Sequence, residues 1–262
     1  MISKWEDEMT RIKQVGLCAL AVLAVSAAVS ASASAEAPEL GRCKKVTVKK
    51  TGNYSSATCT ALKEKGEYEW SPGAVKGKWT SAGGVGTLET VGKNKVVCKT
   101  EKSVGEFVGT KAGANIVVTF TGCETTGFTC TTVGQAEGTL VTNVLEGSLQ
   151  WEKKALKKVA LDLFPGLGKE LFIEFGCGPL TIRVKGSVLV NSKDGKMETK
   201  PVQKYVGTKG IQKPSEYETA GGAKVKDVLE SEIVGVTKFE RAGQTITNTL
   251  TLEEPLEANW FV

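Results

Sequence analysis

The sequence predicts an all-β protein: an antiparallel β-sandwich or barrel-like domain stapled by disulfides, preceded by an N-terminal signal helix. Three observations predict it. Apolar and polar residues alternate with period two along several runs. Glycines and turn dipeptides recur where those runs end. After residue 35, no segment sustains a 3.6-residue apolar period over three turns. Many short strands with regular turns imply packed or closed sheets, because each sheet must bury one face.

In chain order, Cys43 to Lys49 is the first expected strand, followed by a candidate short helix at Ala57 to Lys65. Val85 to Val91 and Lys95 to Thr100 are strands joined by the hairpin signal Gly92-Lys93-Asn94. From Ile116 to Thr121, Ile116, Val118 and Phe120 share one side. Leu145 to Glu152 and Val159 to Leu163 flank a lysine-rich tip, and Leu171 to Phe175 follows. From Leu180 to Val190, Leu180, Ile182, Val184, Val188 and Val190 alternate with Thr181, Arg183, Lys185 and Ser187. Asp194-Gly195 reads as a turn, and Ala223 to Glu230 as a second candidate helix. Thr245, Thr247, Thr249 and Thr251 alternate with Ile246, Asn248, Leu250 and Leu252. Phe107-Val108-Gly109-Thr110-Lys111 recurs as Tyr205-Val206-Gly207-Thr208-Lys209, which leaves a duplicated half-domain as the alternative to one unit. No Pro- or Ser-rich linker divides residues 36–262, which favours a single domain.

Residues 1–35 read as a signal peptide. Arg11 and Lys13 precede the apolar run from Val15 to Val29, and Ala33-Ser34-Ala35 is a peptidase-friendly end. The run is short for a bilayer span, so no stable membrane span is expected after cleavage. A start at Met9 gives the expected basic polarity, whereas Met1 places Glu6, Asp7 and Glu8 ahead of the apolar run. The expected location is extracellular or in the cell envelope.

The chain carries a formal charge of +5 and no histidine. Missing histidine removes Ser-His-Asp and Cys-His catalysis and the usual zinc sites. Beyond residue 35, aspartate occurs only as Asp162, Asp194 and Asp227, so calcium loops have no candidate. No cofactor and no metal are expected. Positive charge is mostly lysine, with only Arg42, Arg183 and Arg241 beyond the signal, which argues against sequence-specific nucleic-acid reading. Cys43, Cys59, Cys98, Cys123, Cys130 and Cys177 form an even set in an exported chain, so three disulfides are expected. Loop position favours Cys43 with Cys59, Cys123 with Cys130, and Cys98 with Cys177.

Glutamate pairs are the remaining catalytic device. Glu170 and Glu174 lie about 13 Å apart on a strand, beyond the ~5–9.5 Å of glycosidases. Glu67 with Glu69, and Glu230 with Glu232, lie near ~6.6 Å, but such alternation also marks a strand's wet face. Candidate binding residues are the lysines Lys153, Lys154, Lys157 and Lys158, and an aromatic platform of Tyr68, Trp70 and Trp79. The bland readings are a soluble hairpin tip and core packing. The threonine face of residues 245–251 is a single strand, short of the stacked arrays that order water.

The segments Ala37 to Cys43, Tyr68 to Gly73, Thr119 to Glu124, Lys157 to Pro165, Gln212 to Glu218 and Leu252 to Glu257 carry a family resemblance. Their order resembles that in an uncharacterised family of exported, six-cysteine, β-rich actinobacterial proteins. The resemblance implies export and a shared fold, and carries over no catalytic residue. The expected role is structural or adhesive, with an anionic or glycan cell-envelope polymer as partner; the alternative is a hydrolase using a glutamate pair.

Overall fold

The computed structural model describes residues 37–59, 61–73, 77–191 and 197–259. The expected signal segment, its alternative start and the expected Asp194-Gly195 turn lie outside the described residues. The described residues are nearly all β, as expected, and the sheet closes into a barrel. Strands Lys78–Gly83, Thr100–Val108, Ala112–Thr121, Leu145–Lys153, Lys158–Pro165, Val188–Asn191, Val202–Thr208 and Glu240–Leu252 pair antiparallel in that order. The last then pairs with the first, Asn248 opposite Gly83 and Leu252 opposite Trp79. Closure leaves this circuit without free edges.

A second circuit continues from the first. Gly86–Thr90, Lys95–Cys98, Glu124–Thr125, Phe128–Thr131, Leu171–Cys177, Leu180–Gly186 and Leu229–Ile233 also pair in sequence, all antiparallel. They close on residues 240–245, while residues 246–252 close the first circuit. Both rings are therefore stacked on one strand of 13 residues. Its alternation decides its faces: Ile246, Asn248, Leu250 and Leu252 are buried, and Thr245, Thr247 and Thr251 are exposed. Inward Ile116, Leu145, Leu163, Val184, Val188 and Ile246 belong to one continuous core. Trp79 packs there too, 6.2 Å from Phe107 between ring centroids. Gly105 makes room for it, since a Cβ there would lie 2.4 Å from the indole Cζ2.

Short strands Ile211–Lys213, Glu216–Glu218 and Lys224–Lys226 cover part of the outside, with Trp151 opposite Glu218. A separate five-stranded sheet takes the order Glu257–Asn259, Glu39–Lys45, Tyr68–Pro72, Gly52–Tyr54, Leu62–Gly66. The Leu40 amide ties it to the Thr110 carbonyl of a barrel turn at 2.6 Å, and Arg42 pairs with Glu254.

Several expectations change. Both candidate helices are strands: Leu62–Gly66 replaces the first, and Lys224–Lys226 with Leu229–Ile233 replaces the second. Leu62 is 78% exposed, so the first segment has no apolar stripe to bury as a helix. Among the described residues, the one helical element is the 3-10 turn Lys154–Leu156. The first strand is Glu39–Lys45, earlier than expected, because it runs between Tyr68–Pro72 and Glu257–Asn259. The long run from Leu180 breaks at Ser187, whose amide bonds the Val228 carbonyl instead of the ladder. The five-residue echo is not structural: Gly109 lies in a turn at φ +65°, whereas Gly207 is strand-paired with Gln212.

All six cysteines beyond residue 35 are bridged. Cys43–Cys59 is as expected, but the other pairs are Cys98–Cys123 and Cys130–Cys177. Cys130 and Cys123 do face each other across a hairpin, yet the Cys130 amide bonds the Cys123 carbonyl. At such hydrogen-bonded positions the Cα atoms stand about 5.5 Å apart and the side chains converge less. Each cysteine has a closer neighbour on its other side, at Cα separations of 3.9 and 4.1 Å. Loop position sees only hairpin neighbours, whereas a closed sheet gives every strand two. Non-reducing peptide mapping is expected to recover Cys98–Cys123 and Cys130–Cys177. Replacing both Cys130 and Cys177 by alanine should cost ~4 kcal/mol in denaturant melts, from loop-closure entropy.

Candidate functional site

The four predicted lysines come together at a hairpin tip. Lys153 and Lys158 are opposed, Lys154–Leu156 forms the turn, and Lys157 takes φ +52°. Lys153, Lys157 and Lys158 are exposed and make no ion pair among the described residues. Lys154 is docked: its Nζ donates to the Ala220 carbonyl at 2.7 Å, and its amide to Glu218 at 3.0 Å.

The predicted aromatic platform does not assemble. Tyr68 and Trp70 are half-buried on the five-stranded sheet, with Trp70 lying over Gly41. Trp79 is only 7% exposed inside the barrel, because its position alternates inward with Ser81. The glutamate pairs sit on wet faces. Glu67 pairs with Lys45 at 3.6 Å, and Glu69 accepts from the Asn53 amide at 2.9 Å. Glu174 and Glu232 flank Arg183, and Glu230 pairs with Lys185 at 3.6 Å.

Sequence reasoning missed a polar cluster inside the barrel. Where the two circuits meet, a cavity of about 90 Å³ remains, walled by Leu145, Leu163, Phe172, Phe175, Val184 and Ile246. Eight strands leave an interior just wide enough for side chains or one small ligand. Glu101, Tyr205 and Asn248 also line it. Glu101 is 2% exposed and has no cationic partner among the described residues. The Ser81 hydroxyl donates to its Oε1 at 2.9 Å and lies 3.3 Å from Oε2. Asn248 Nδ2 reaches Oε2 at 3.4 Å, and the Ser81 and Ser103 hydroxyls meet at 2.5 Å. Burial pushes the Glu101 carboxyl up, and the bonds from Ser81, Ser103 and Asn248 partly offset this. Burial, with the nearby Glu101 charge, likewise raises the Tyr205 phenol. Asn248 Oδ1 is buried without a hydrogen-bond partner among the described residues. Gly83 helps to leave the room, because a Cβ there would lie 2.9 Å from Glu101 Oε2.

The lumen has a mouth at the end opposite the lysine tip. There a second cavity of about 250 Å³ is lined by Lys93, Lys95, Phe128, Glu232 and Glu240. Leu88 and Val96 line both spaces and so form the partition between them.

A second buried cluster lies on the outer face of the first circuit. Asp162 points away from the lumen-lining Leu163, yet is 6% exposed, because the covering strands shield it. Asp227 is 1% exposed and accepts from the Ser187 hydroxyl and, at 2.9 Å, from the Leu189 amide. Asp162 Oδ1 has no hydrogen-bond partner among the described residues. Burial, then the Asp227 charge, pushes the Asp162 carboxyl up to about 7. Two of the three aspartates beyond residue 35 are thus buried together.

No family model matches the chain, and neither curated proteins nor solved structures yield a similar one. Three disulfides fit an oxidising, extracellular-type environment. No helix among the described residues is long and apolar enough to cross a membrane.

The Asp162 carboxyl gives a pH prediction. Between its ordinary 3.8 and about 7, the unfolded chain loses a proton that the folded protein keeps. Its contribution to stability therefore falls as pH rises through that window and is level above it. Asp162→Asn removes this loss. Thermal melts should show the variant's advantage over the parent growing from pH 4 to pH 7, by on the order of 2 to 4 kcal/mol.

Proposed function

We propose that the protein is an exported, disulfide-stapled β-barrel that holds a small, largely apolar ligand in its lumen. The observation that carries this reading is the cavity, apolar on its walls and with Glu101, Tyr205 and Asn248 converging from three different strands. Sites for small molecules have this character, and barrel mouths are among their usual places. The signal-like residues 9–35 and the bridged cysteines support export.

Methyl-resolved NMR titration with xenon and with 1-propanol tests it. Saturable shifts are expected at Leu140, Leu145, Leu163, Val184 and Ile246, with millimolar affinity, since a ligand of about four heavy atoms gains at most ~1.5 kcal/mol per atom. The cavity-filling variant Val118→Phe should abolish them. Shifts scattered over the surface, or none, would overturn the reading.

A second reading, adhesion to an anionic envelope polymer, is favoured by the lysine tip, where three exposed ammonium groups make no ion pair among the described residues. Such attraction weakens as salt rises, because the screening length shrinks from about 10 Å at 0.1 M to about 3 Å at 1 M. Changing Lys153, Lys157 and Lys158 to glutamine should remove most co-sedimentation with isolated envelopes at low salt and leave melting almost unchanged. Binding that ignores both salt and substitution would sink this reading.

A further inference from the structure

We infer that the lumen site is built for a short primary alkylammonium ion, an inference that rests on the lumen-binding reading above. Two acceptors at the polar end of the cavity are short of donors. Asn248, 4% exposed, leaves its Oδ1 buried and unpaired. Glu101 Oε2 has long contacts at 3.3 Å from Ser81 and 3.4 Å from Asn248, and Ser103 also bonds the carboxyl. A carboxylate offers about four acceptor positions, so this one is undersupplied. Both deficits are on acceptors, and a buried polar atom without a partner is costly. The missing piece therefore brings donors.

Charge narrows the choice further. Among the described residues Glu101 has no ion-pair partner, and the lysines of the mouth, Lys93 and Lys95, lie beyond the Leu88 and Val96 partition. A cationic ligand supplies the balancing charge that the protein withholds. An alcohol brings one donor and no charge; a primary ammonium brings three donors and a full one. A carboxylate ligand would meet repulsion from the Glu101 charge.

Size and wall chemistry specify the rest. A 150 Å³ apolar cavity is known to hold benzene, so about 90 Å³ admits roughly four heavy atoms. The walls offer hydrocarbon to such a chain from Leu163, Phe172, Phe175 and Val184. Propylammonium fits this description: its head lies against Glu101 and Asn248, and its three carbons lie against the walls. Longer chains need Leu88 and Val96 to part, which leads them towards the mouth.

The test compares propylammonium, 1-propanol and propionate by the same methyl NMR titration, at pH 8 and fixed ionic strength, on the full exported domain. Propylammonium is expected to bind at least tenfold more tightly than 1-propanol, and propionate not at all. Glu101→Gln should cut the propylammonium affinity at least tenfold, a larger loss than it causes for 1-propanol. The parent comparison needs no variant, so it stands even where Glu101→Gln fails to fold. Propanol binding as tightly as propylammonium would overturn the ammonium inference and leave the lumen reading intact, the polar end then serving ordered water only. Absence of binding by all three would overturn both.

Discussion

Everything in this barrel depends on the pairing of Glu240–Leu252 with four neighbours. Its upper half completes one ring and its lower half the other, so a single ladder of main-chain hydrogen bonds closes both. A shift of one residue would turn Ile246, Leu250 and Leu252 outwards and the threonines inwards. It would also take Asn248 away from Glu101 and Ser81. The register of one strand therefore sets the core, the closure and the polar end of the lumen together.

The polar end is costly to fold around, and the way it is satisfied says where the cost goes. Ser81, Ser103 and Asn248 surround Glu101 on three strands that are adjacent in the ring, so each hydroxyl or amide is held by a ladder and not by a loop. Groups held in this way keep their orientation whether or not the cavity is filled. The Asp162–Asp227 pair differs, because one carboxyl is well supplied by Ser187 and Leu189 and the other is left short.

The strands were legible in the sequence wherever apolar residues alternated cleanly, as in the runs ending at Leu252, Thr121 and Val190. Legibility failed where the alternation inverts. Along Thr100–Val108 the buried positions are Glu101 and Ser103, while Val104 and Val108 are each 52% exposed. A hydrophobicity pattern places the wrong face of that strand inside, and so it hides the lumen's acid. Asn248 did carry a signal: it stands among Ile246, Leu250 and Leu252 on the apolar face, where an amide needs a reason. The cysteine pairing failed on topology, since nothing local tells Cys98 that its partner lies on a strand beyond the next hairpin. Closure itself, which relates residue 79 to residue 252, leaves no local trace at all.

Cys98, Cys123, Cys130 and Cys177 are almost wholly enclosed by the second circuit, none more than 6% exposed. Thiol–disulfide exchange needs a thiolate to approach a sulfur along its bond, and no such approach exists while the ring is shut. The lifetime of these two bridges in the presence of a small thiol is then set by how often the ring opens locally. Their persistence reports the breathing of the barrel and not the reducing strength of its surroundings.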